Sequence, residues 1–507
     1  VPGALEPSAR AETAPRPADR QPGVPAPRAA MAPEPRERAS SLDSLKAALS
    51  PQGELNEHGA VALLASKPTW VKRSVAPLSA GGLRQSIVTL VQTSLGGGVL
   101  TLAFAMRLSG LGLGLVMLAV LAVVAFLGMD TMMRGAVKLQ AFDTATLLAK
   151  CVGPWSGPAM DLLLVLYGNG ALIAYFILLG DFLPALAEDA HHFNLIPRAH
   201  DPQAFRTKCI IATLVLVIPL SIPKKLSALR YATPVALLAV IFTACTVVFK
   251  ARDLFQLHHD EPGFGEVSWA VLDWGFFQSF SILLFAFNCH LNVVPVASEL
   301  TRPDDRRIEK ITFRVVVVEL VFYMFIAAGG YLSFLGKTDQ NILSNYAGTA
   351  PSVTVCRLLL SFTILVGIPT NLLPTVRSLQ GLVMACASKL RGARGLKAPL
   401  LDANGNGEAD PSSAGASEAL RLALTAFCLL VEVVVAINVP NVADVMGFLG
   451  ASVGTILMMV LPAVVLFKAE PDFHPARWWL TVVMLVGSAL TACMAIVVMV
   501  LQKTHRL

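Results

Sequence analysis

Long apolar blocks separated by short polar stretches are the feature that most constrains how this chain can fold. A helix needs about 20 apolar residues to cross the hydrocarbon core of a bilayer, and it satisfies its backbone polar groups within one segment, as lipid requires. With 55% hydrophobic and 15% charged residues, the sequence predicts an all-α membrane protein of about 11 transmembrane helices. The blocks lie at roughly residues 86–108, 111–133, 159–183, 209–222, 231–249, 273–291, 312–335, 352–376, 420–437, 442–467 and 478–501.

The polar regions outside these blocks differ in composition. Residues 1–83 begin with a stretch rich in Pro, Ala, Arg and Glu, which has too few apolar side chains to form a core. We therefore predict a disordered cytoplasmic tail there and a membrane domain over residues 84–501. Within that domain, 389–418 is predicted to be a flexible cytoplasmic loop, and 502–507 is a short tail on the other side. The fourth block is short, so its helix is expected to begin earlier, near residue 205.

Basic residues are unevenly distributed between the two sides of the predicted bundle. Lys and Arg are concentrated before the first block and in the loops that follow the even-numbered blocks, and loops of this kind stay in the cytoplasm. We expect a cytoplasmic amino terminus and an extracellular or lumenal carboxyl terminus. The sequence has no Asn-x-Ser/Thr acceptor for glycosylation, which favours a vacuolar or lysosomal membrane without excluding the plasma membrane.

Three consecutive glycines in the first block predict a break in that helix. Gly96, Gly97 and Gly98 each weaken a helix by about 1 kcal/mol relative to Ala. A break at membrane depth frees backbone N–H and C=O groups, which must be buried in protein or face a wet cavity, where they can bind a charged ligand. The alternative is close packing between helices through small residues.

A second interruption is predicted in the sixth block. Asn288, His290 and Asn292 follow one another at alternate positions in an apolar helix just before Pro295. Interrupted helices at positions one and six, five helices apart, are what an inverted five-plus-five repeat places around a site at the membrane midplane.

Five segments resemble, in the same order, the amino acid/auxin permease family of the amino acid-polyamine-organocation superfamily. The similarity is greatest to its sodium-coupled neutral amino acid transporter branch, whose pattern F-x-F-x-C-H-x-x-V-x-P-x-x-x-E-L occurs at residues 285–300. The other segments are GGGVLTLAFAM at 96–106, IPLSIPKK at 218–225, YLSFLG at 331–336 and VPNVADVMGFLGA at 439–451. The resemblance extends over about residues 85–501, which is nearly all of the membrane domain.

The resemblance implies a leucine-transporter-type bundle with helices 1 and 6 broken. It also implies secondary active transport of an amino acid by alternating access, coupled to H⁺ or Na⁺. Neutral substrates are favoured, because the pocket residues supply no anion for a basic side chain. The substrate-binding residues predicted in this way are Thr93, Ser94, Gly96, Gly97, Gly98, Phe285, Phe287 and Asn288.

The coupling ion is the point at which this sequence departs from the branch. The Asn of helix 1 and the Thr of helix 8 that usually hold sodium align with Gln92 and Gly367. Thr93, Thr363 and Thr370 are the hydroxyl groups that could replace them.

Protons are the alternative coupling ion. Glu319 and Glu432 lie inside apolar runs, and carboxyl groups inside a membrane are often functional. The alternative for each is a pairing with a neighbour or a position near a helix end. His290 is a further titratable candidate, or else a hydrogen-bonding residue at a helix end that fixes a gate.

A sensor that binds an amino acid and signals through residues 1–83 is the second hypothesis for the function. An enzyme is not expected, because no Ser/His/Asp set, CxxC pair or metal-ligand cluster is evident. The net charge of +6 does not indicate nucleic-acid binding, since the basic residues form no single patch. We expect a monomer in the lipid bilayer with no cofactor apart from the coupling ion.

Overall fold

A computed structural model describes residues 82–192, 201–222, 232–258, 261, 263–346, 350–393, 411–469 and 475–503. The chain divides into Val1–Pro77 and Leu78–Leu507, and every described residue belongs to the second unit. The predicted tail therefore lies almost entirely outside the described residues. Within them the secondary structure is helical, with no strand, which confirms the all-α prediction.

Fifteen α-helices make up the described part of the chain. They are α1 (Leu83–Ser94), α2 (Leu102–Ser109), α3 (Leu111–Lys138), α4 (Thr144–Val152), α5 (Ser156–His192), α6 (Pro202–Ser221), α7 (Ala232–His258), α8 (Gly275–Ala286), α9 (His290–Glu299), α10 (Asp305–Phe334), α11 (Pro351–Ala393), α12 (Pro411–Asn438), α13 (Val442–Leu449), α14 (Leu461–Ala469) and α15 (Pro475–Lys503). Short 3₁₀ turns lie at Gly97–Thr101, Leu335–Lys337 and Ile342–Ser344.

Nine helical segments of the described residues are long and apolar enough to cross a membrane. The bent pair formed by Leu83–Ser94 and Gly97–Ser109 makes a tenth span. The eleventh predicted block falls in α15, which contains the shorter apolar stretch Leu485–Val498. The fourth span begins at Pro202, capped by the side chain of Asp201, so its predicted early start is confirmed.

The structure departs from the prediction between the eighth and ninth blocks. α11 runs to Ala393 and α12 begins at Pro411, so both helices extend into the predicted loop 389–418. The side-chain amide of Gln380 joins the two helices by donating to the carbonyl oxygen (3.1 Å) and the hydroxyl (3.0 Å) of Ser417. Residues 394–410, like 504–507 of the predicted last tail, lie outside the described residues.

The tenth span in chain order, Val442–Ala469, is also less regular than its apolar sequence predicts. Its helix widens into π-helical turns at Gly450–Gly454 and Ile456–Val460, and such turns are common at functional sites. Here the span lies directly against α8, because a Cβ atom on Gly450 would be 2.0 Å from the carbonyl oxygen of Ser281. Only glycine allows this approach.

A buried arginine closes one end of the bundle, which we call the outer end; the inner end is the one at which α1 begins. Arg357 near the start of α11 lies 3.2 Å from each carboxylate oxygen of Asp189 in α5. Its other terminal nitrogen donates to the carbonyl oxygens of Leu343 and Tyr346, at 2.9 Å each. Thr354 donates to the same carboxylate at 2.7 Å.

The segment between α10 and α11 covers the same end. Arg107 of α2 donates to the carbonyl oxygen of Thr338 at 2.9 Å. The backbone N–H of Ala443, at the start of α13, donates to the side-chain oxygen of Gln340 at 3.1 Å. The outer end is therefore held shut by bonds from three separate spans.

Replacing Arg357 by Met tests how far this end depends on one buried charge. Removing one partner of a buried ion pair leaves the other charge uncompensated, which costs about 3–5 kcal/mol. Asp305→Asn is the control, because Asp305 forms a pair with Arg134 (3.3 Å) in which its side chain is 78% exposed, and exposed pairs contribute about 0–1 kcal/mol. Thermal unfolding of the purified protein should show a much larger fall for Arg357→Met. Equal falls would contradict the prediction.

Candidate functional site

The first span is broken at the predicted glycines. α1 ends at Ser94, and the continuation from Gly97 is turned by 50°. The N–H of Gly96 bonds back to the carbonyl oxygen of Ser94 (2.8 Å), and the carbonyl of Gly96 accepts from Val99 (3.2 Å). Because the first N–H groups of a helix have no partner within it, those of Gly97 and Gly98 are available to a ligand.

The sixth span is broken where its polar residues predict. α8 ends at Ala286 and α9 begins at His290. The side chain of Asn288 between them is buried, and neither of its polar atoms has a hydrogen-bond partner among the described residues. The ring of Phe285 packs on the first break, 3.4 Å from where a Cβ atom of Gly98 would be. The two breaks therefore meet in the interior of the bundle.

The seventh span, α10, bonds to both broken helices. The hydroxyl of Ser94, the last residue of α1, donates to Oε1 of Glu319. One turn further along α10, the Tyr323 hydroxyl donates at 2.7 Å to the carbonyl oxygen of Ala286, the last residue of α8. One face of α10 thus joins the two half-helices at the points where they stop.

Glu319 has no positive partner in the described part of the protein. Its side chain is fully buried, and Oε2 lacks a hydrogen-bond partner among the described residues. The titratable groups that interact with it are Tyr323 and Cys289. A buried carboxyl group of this kind can exchange a proton when its surroundings change from dry to wet.

A cavity of about 370 Å³ extends from the first break towards the inner end. Pockets for small molecules typically have volumes of roughly 300–1,000 Å³. No charged side chain occurs among the residues that form the walls. They are Thr89, Gln92, Thr93, Leu95, Gly96, Tyr175, Ala236, Asn292, Thr363, Val366, Gly367, Thr370, Asn371 and Pro374.

Tyr175 of α5 lies between the first break and the eighth span. Its hydroxyl oxygen is 3.6 Å from an ideal Cβ position on Gly96, and its ring is 3.3 Å from that of Gly367. Tyr175 also borders a second void of about 40 Å³, which shares Leu95, Gly96 and Thr363 with the larger cavity. A Thr at position 367, as in the sodium-coupled branch, would have to displace this ring.

The predicted ion-coupling residues fall into two groups. Gln92, Thr93, Thr363 and Thr370 share the 370 Å³ cavity, with the Thr93 hydroxyl accepting from the Asn292 amide of α9 at 3.1 Å. The others do not line that cavity. Glu319 lies behind the first break, His290 is buried beside Gly128 of α3, and Glu432 is buried in α12 with neither carboxyl oxygen bonded among the described residues.

The predicted substrate residues are also divided by the structure. Thr93 and Gly96 line the large cavity, Gly97 lines the smaller void, and Ser94, Gly98, Phe285 and Asn288 surround the point where the breaks meet. Phe287 points away, with its ring packed edge-on against Tyr323 at 5.0 Å between centroids. The roles of the individual residues stay predictions.

Two tyrosines at this site were not found from the sequence. Tyr175 and Tyr323 both contact the breaks, yet each lies alone in an apolar run. The available signal was their rarity, since the whole chain has six tyrosines. A hydroxyl buried in a membrane helix needs a hydrogen-bond partner, and broken helices supply free carbonyl groups.

Comparisons with known proteins agree with this architecture. Residues 79–503 match the family described as "Transmembrane amino acid transporter protein". The "Putative amino acid transporter AAT1" of Toxoplasma gondii is 36% identical over 345 residues, covering 66% of this chain and 47% of that protein. The chain thus spans about half the length of this relative. The "Vacuolar amino acid transporter 5" of Saccharomyces cerevisiae is 25% identical over 415 residues, covering 76% of this chain and 88% of the relative.

A solved structure shows the same fold. The crystal structure of MhsT in complex with L-phenylalanine is similar with a TM-score of 0.50 and 12% identity, covering 83% of this chain and all of MhsT. This similarity and the breaks in spans 1 and 6 confirm the predicted leucine-transporter-type fold. The match to residues 79–503 covers most of the sequence, and the chain therefore belongs to the family of transmembrane amino acid transporter proteins.

Proposed function

We propose that this protein is a secondary active transporter that carries amino acids across a membrane by alternating access. The observation that carries the proposal is the cavity beside the first break, which extends towards the inner end, whereas the buried bonds of Arg357 cover the outer end. Backbone groups freed inside a membrane persist where they line a cavity, and in this position they serve as ligands. The family and the names of the relatives support an amino acid as the cargo.

The proposed substrates are neutral amino acids. In this proposal the first N–H groups of the 3₁₀ helix that begins at Gly97, which carry partial positive charge, bind the substrate carboxylate. The carbonyl groups at the end of α1 are matched to an ammonium group. Because the cavity walls are uncharged, nothing there compensates a second charge on the substrate.

The proposed coupling ion is H⁺, taken up by Glu319. This carboxyl group is bonded to the end of α1 and has no cationic partner among the described residues. Sodium, the alternative, would have to use hydroxyl groups such as those of Thr93, Thr363 and Thr370, because Gly367 has no side-chain ligand and faces the ring of Tyr175. Uptake under separate pH and Na⁺ gradients distinguishes H⁺ from Na⁺ as the coupling ion.

The proposed location is an internal membrane with the amino terminus in the cytoplasm. The S. cerevisiae relative is named a vacuolar amino acid transporter, which supports such a membrane. The sensor hypothesis depends on residues 1–83, of which 1–81 lie outside the described part of the chain. A fluorescent fusion compared with organelle markers would locate the protein.

Cysteine accessibility tests alternating access. Thr370→Cys places a thiol on the cavity wall, whereas Leu372→Cys, two residues along the same helix, places one at a position that is 1% exposed. A water-soluble thiol reagent applied from the inner side should react at least about ten-fold faster with Thr370→Cys, because only a hydrated thiol ionises readily. Excess substrate should slow this reaction. The background variant lacks the exposed cysteines Cys245, Cys386 and Cys493.

The result that would contradict alternating access is equal labelling of Thr370→Cys from both sides of the membrane under all conditions. Labelling from the outer side should rise only when substrate and a pH gradient drive turnover. Leu372→Cys should stay unreactive throughout, since its side chain has no path to water.

Glu319→Gln tests the coupling ion. Gln keeps the shape and an oxygen to accept from Ser94 but cannot carry the proton, so accumulation driven by a pH gradient should fall at least about ten-fold. Glu432→Gln is the matched control, another buried carboxyl group in a span but away from the breaks, and should stay within about three-fold of the unmodified protein. The measurement is uptake of labelled neutral amino acids into proteoliposomes.

Separate gradients decide between the alternatives. Uptake that requires Na⁺ and ignores pH would refute proton coupling. Loss of uptake in Glu432→Gln with full activity in Glu319→Gln would move the proton site to α12. If no amino acid is transported under either gradient, the transport proposal itself fails.

A further inference from the structure

One face of α10 holds the ends of both broken helices. Glu319 and Tyr323 are four residues apart, so their side chains lie on the same side of the helix. Glu319 accepts from Ser94, and Tyr323 donates to Ala286 at 2.7 Å. Ser94 and Ala286 are the last residues of α1 and α8. We call this set of four residues the α10 brace.

Tyr323 is bound tightly into this position. It is fully buried, its ring packs edge-on against Phe287 of the sixth-span break at 5.0 Å, and its hydroxyl also interacts with Ser94. A carbonyl group left by a broken helix cannot find water in this interior, so the Tyr323 hydroxyl supplies the bond that Ala286 lacks. A change at either break therefore reaches the same side chain.

The charged surroundings of the brace are sparse. The titratable groups that interact with Glu319 are Tyr323 on its own helix and Cys289 at the sixth-span break. The other helices packed on α10 carry their charged side chains nearer their ends: Arg84 in α1, Arg107 in α2, Asp130 with Arg134 in α3, and 250–258 in α7. Glu319 is thus the carboxyl group whose protonation changes the charge within the α10 brace.

We propose that Tyr323 is a positioning residue that couples the protonation of Glu319 to the conformation of the sixth-span break. The inference rests on the proposed function, in which Glu319 takes up the coupling proton. A proton on Glu319 changes its bond with Ser94. The changed bond shifts this part of α10 relative to α1. Because α10 is rigid over a single turn, the shift includes Tyr323 and, through its hydroxyl, reaches the end of α8. Both breaks then change together, as substrate release requires.

The readout is the pH dependence of substrate affinity. Coupling between two ligands is the factor by which one changes the affinity for the other. The dissociation constant of a transported neutral amino acid, measured at acidic and at neutral pH, should differ by about ten-fold in the unmodified protein. In Tyr323→Phe the ratio should fall below about three-fold, while the affinity at acidic pH is largely kept.

Tyr331→Phe is the matched control. Tyr331 lies two turns further along α10, is 2% exposed, and its hydroxyl accepts from the backbone N–H of Ser268 at 3.0 Å. It therefore loses a buried hydroxyl of the same kind, outside the brace. This variant should keep the full pH ratio. If Tyr331→Phe and Tyr323→Phe flatten the ratio equally, the brace is refuted.

Failure of the brace can be told apart from failure of the proposed function. An affinity in the unmodified protein that does not depend on pH refutes proton coupling. A pH-dependent affinity that Glu319→Gln abolishes and Tyr323→Phe leaves intact refutes only the brace. If Tyr323 had a purely structural role, Tyr323→Phe would weaken substrate affinity equally at both pH values. That result would also refute the proposed coupling through the brace. If Tyr323→Phe does not fold, Ser94→Ala, which removes the other bond of the brace, must flatten the ratio.

Discussion

A backbone group freed from its helix inside a membrane has to find a partner in the protein, and this requirement organises the centre of the structure. Two spans stop there, at Ser94 and at Ala286. At Ala286 the Tyr323 hydroxyl of α10 donates to the freed backbone carbonyl, and at Ser94 the side-chain hydroxyl donates to the Glu319 carboxyl group of the same helix. The groups that stay free, the N–H groups at Gly97 and Gly98, are the ones that a ligand can use.

The same reasoning explains why the two ends of the bundle differ. At the outer end the guanidinium of Arg357 satisfies carbonyl groups of the segment that follows α10, and a buried carboxylate of Asp189 balances its charge. Towards the inner end, the Asn292 amide of one broken helix donates to the Thr93 hydroxyl of the other. In the proposed function, the covered outer end and the cavity lined by neutral groups describe one of the two states of alternating access.

How far sequence reasoning reached depended on whether the signal was local. Apolar length, the glycine run and the polar residues before Pro295 are local, and they predicted the spans and both breaks. The bond between Ser94 and Glu319 joins residues 225 positions apart, and no periodicity connects them. The widened helix around Gly450 was missed for a similar reason, because it packs against the backbone at Ser281, which is distant in the sequence. Helical structure up to Ala393 and from Pro411 lies within the predicted loop 389–418, and the bond between Gln380 and Ser417 that joins the two helices links residues 37 positions apart.

The departure from the sodium pattern at position 367 takes on a physical meaning in the structure. In the sequence, Gly367 only marks the absence of a hydroxyl ligand. In the fold, its missing Cβ is the space against which the ring of Tyr175 packs, and the same tyrosine reaches the first break at Gly96. The absence of a hydroxyl ligand at Gly367 and the position of the Tyr175 ring therefore have the same cause, the missing Cβ. Under the proposed proton coupling, no cation is needed between spans 1 and 8, and the buried carboxyl group of Glu319 is the group beside the breaks that carries the charge.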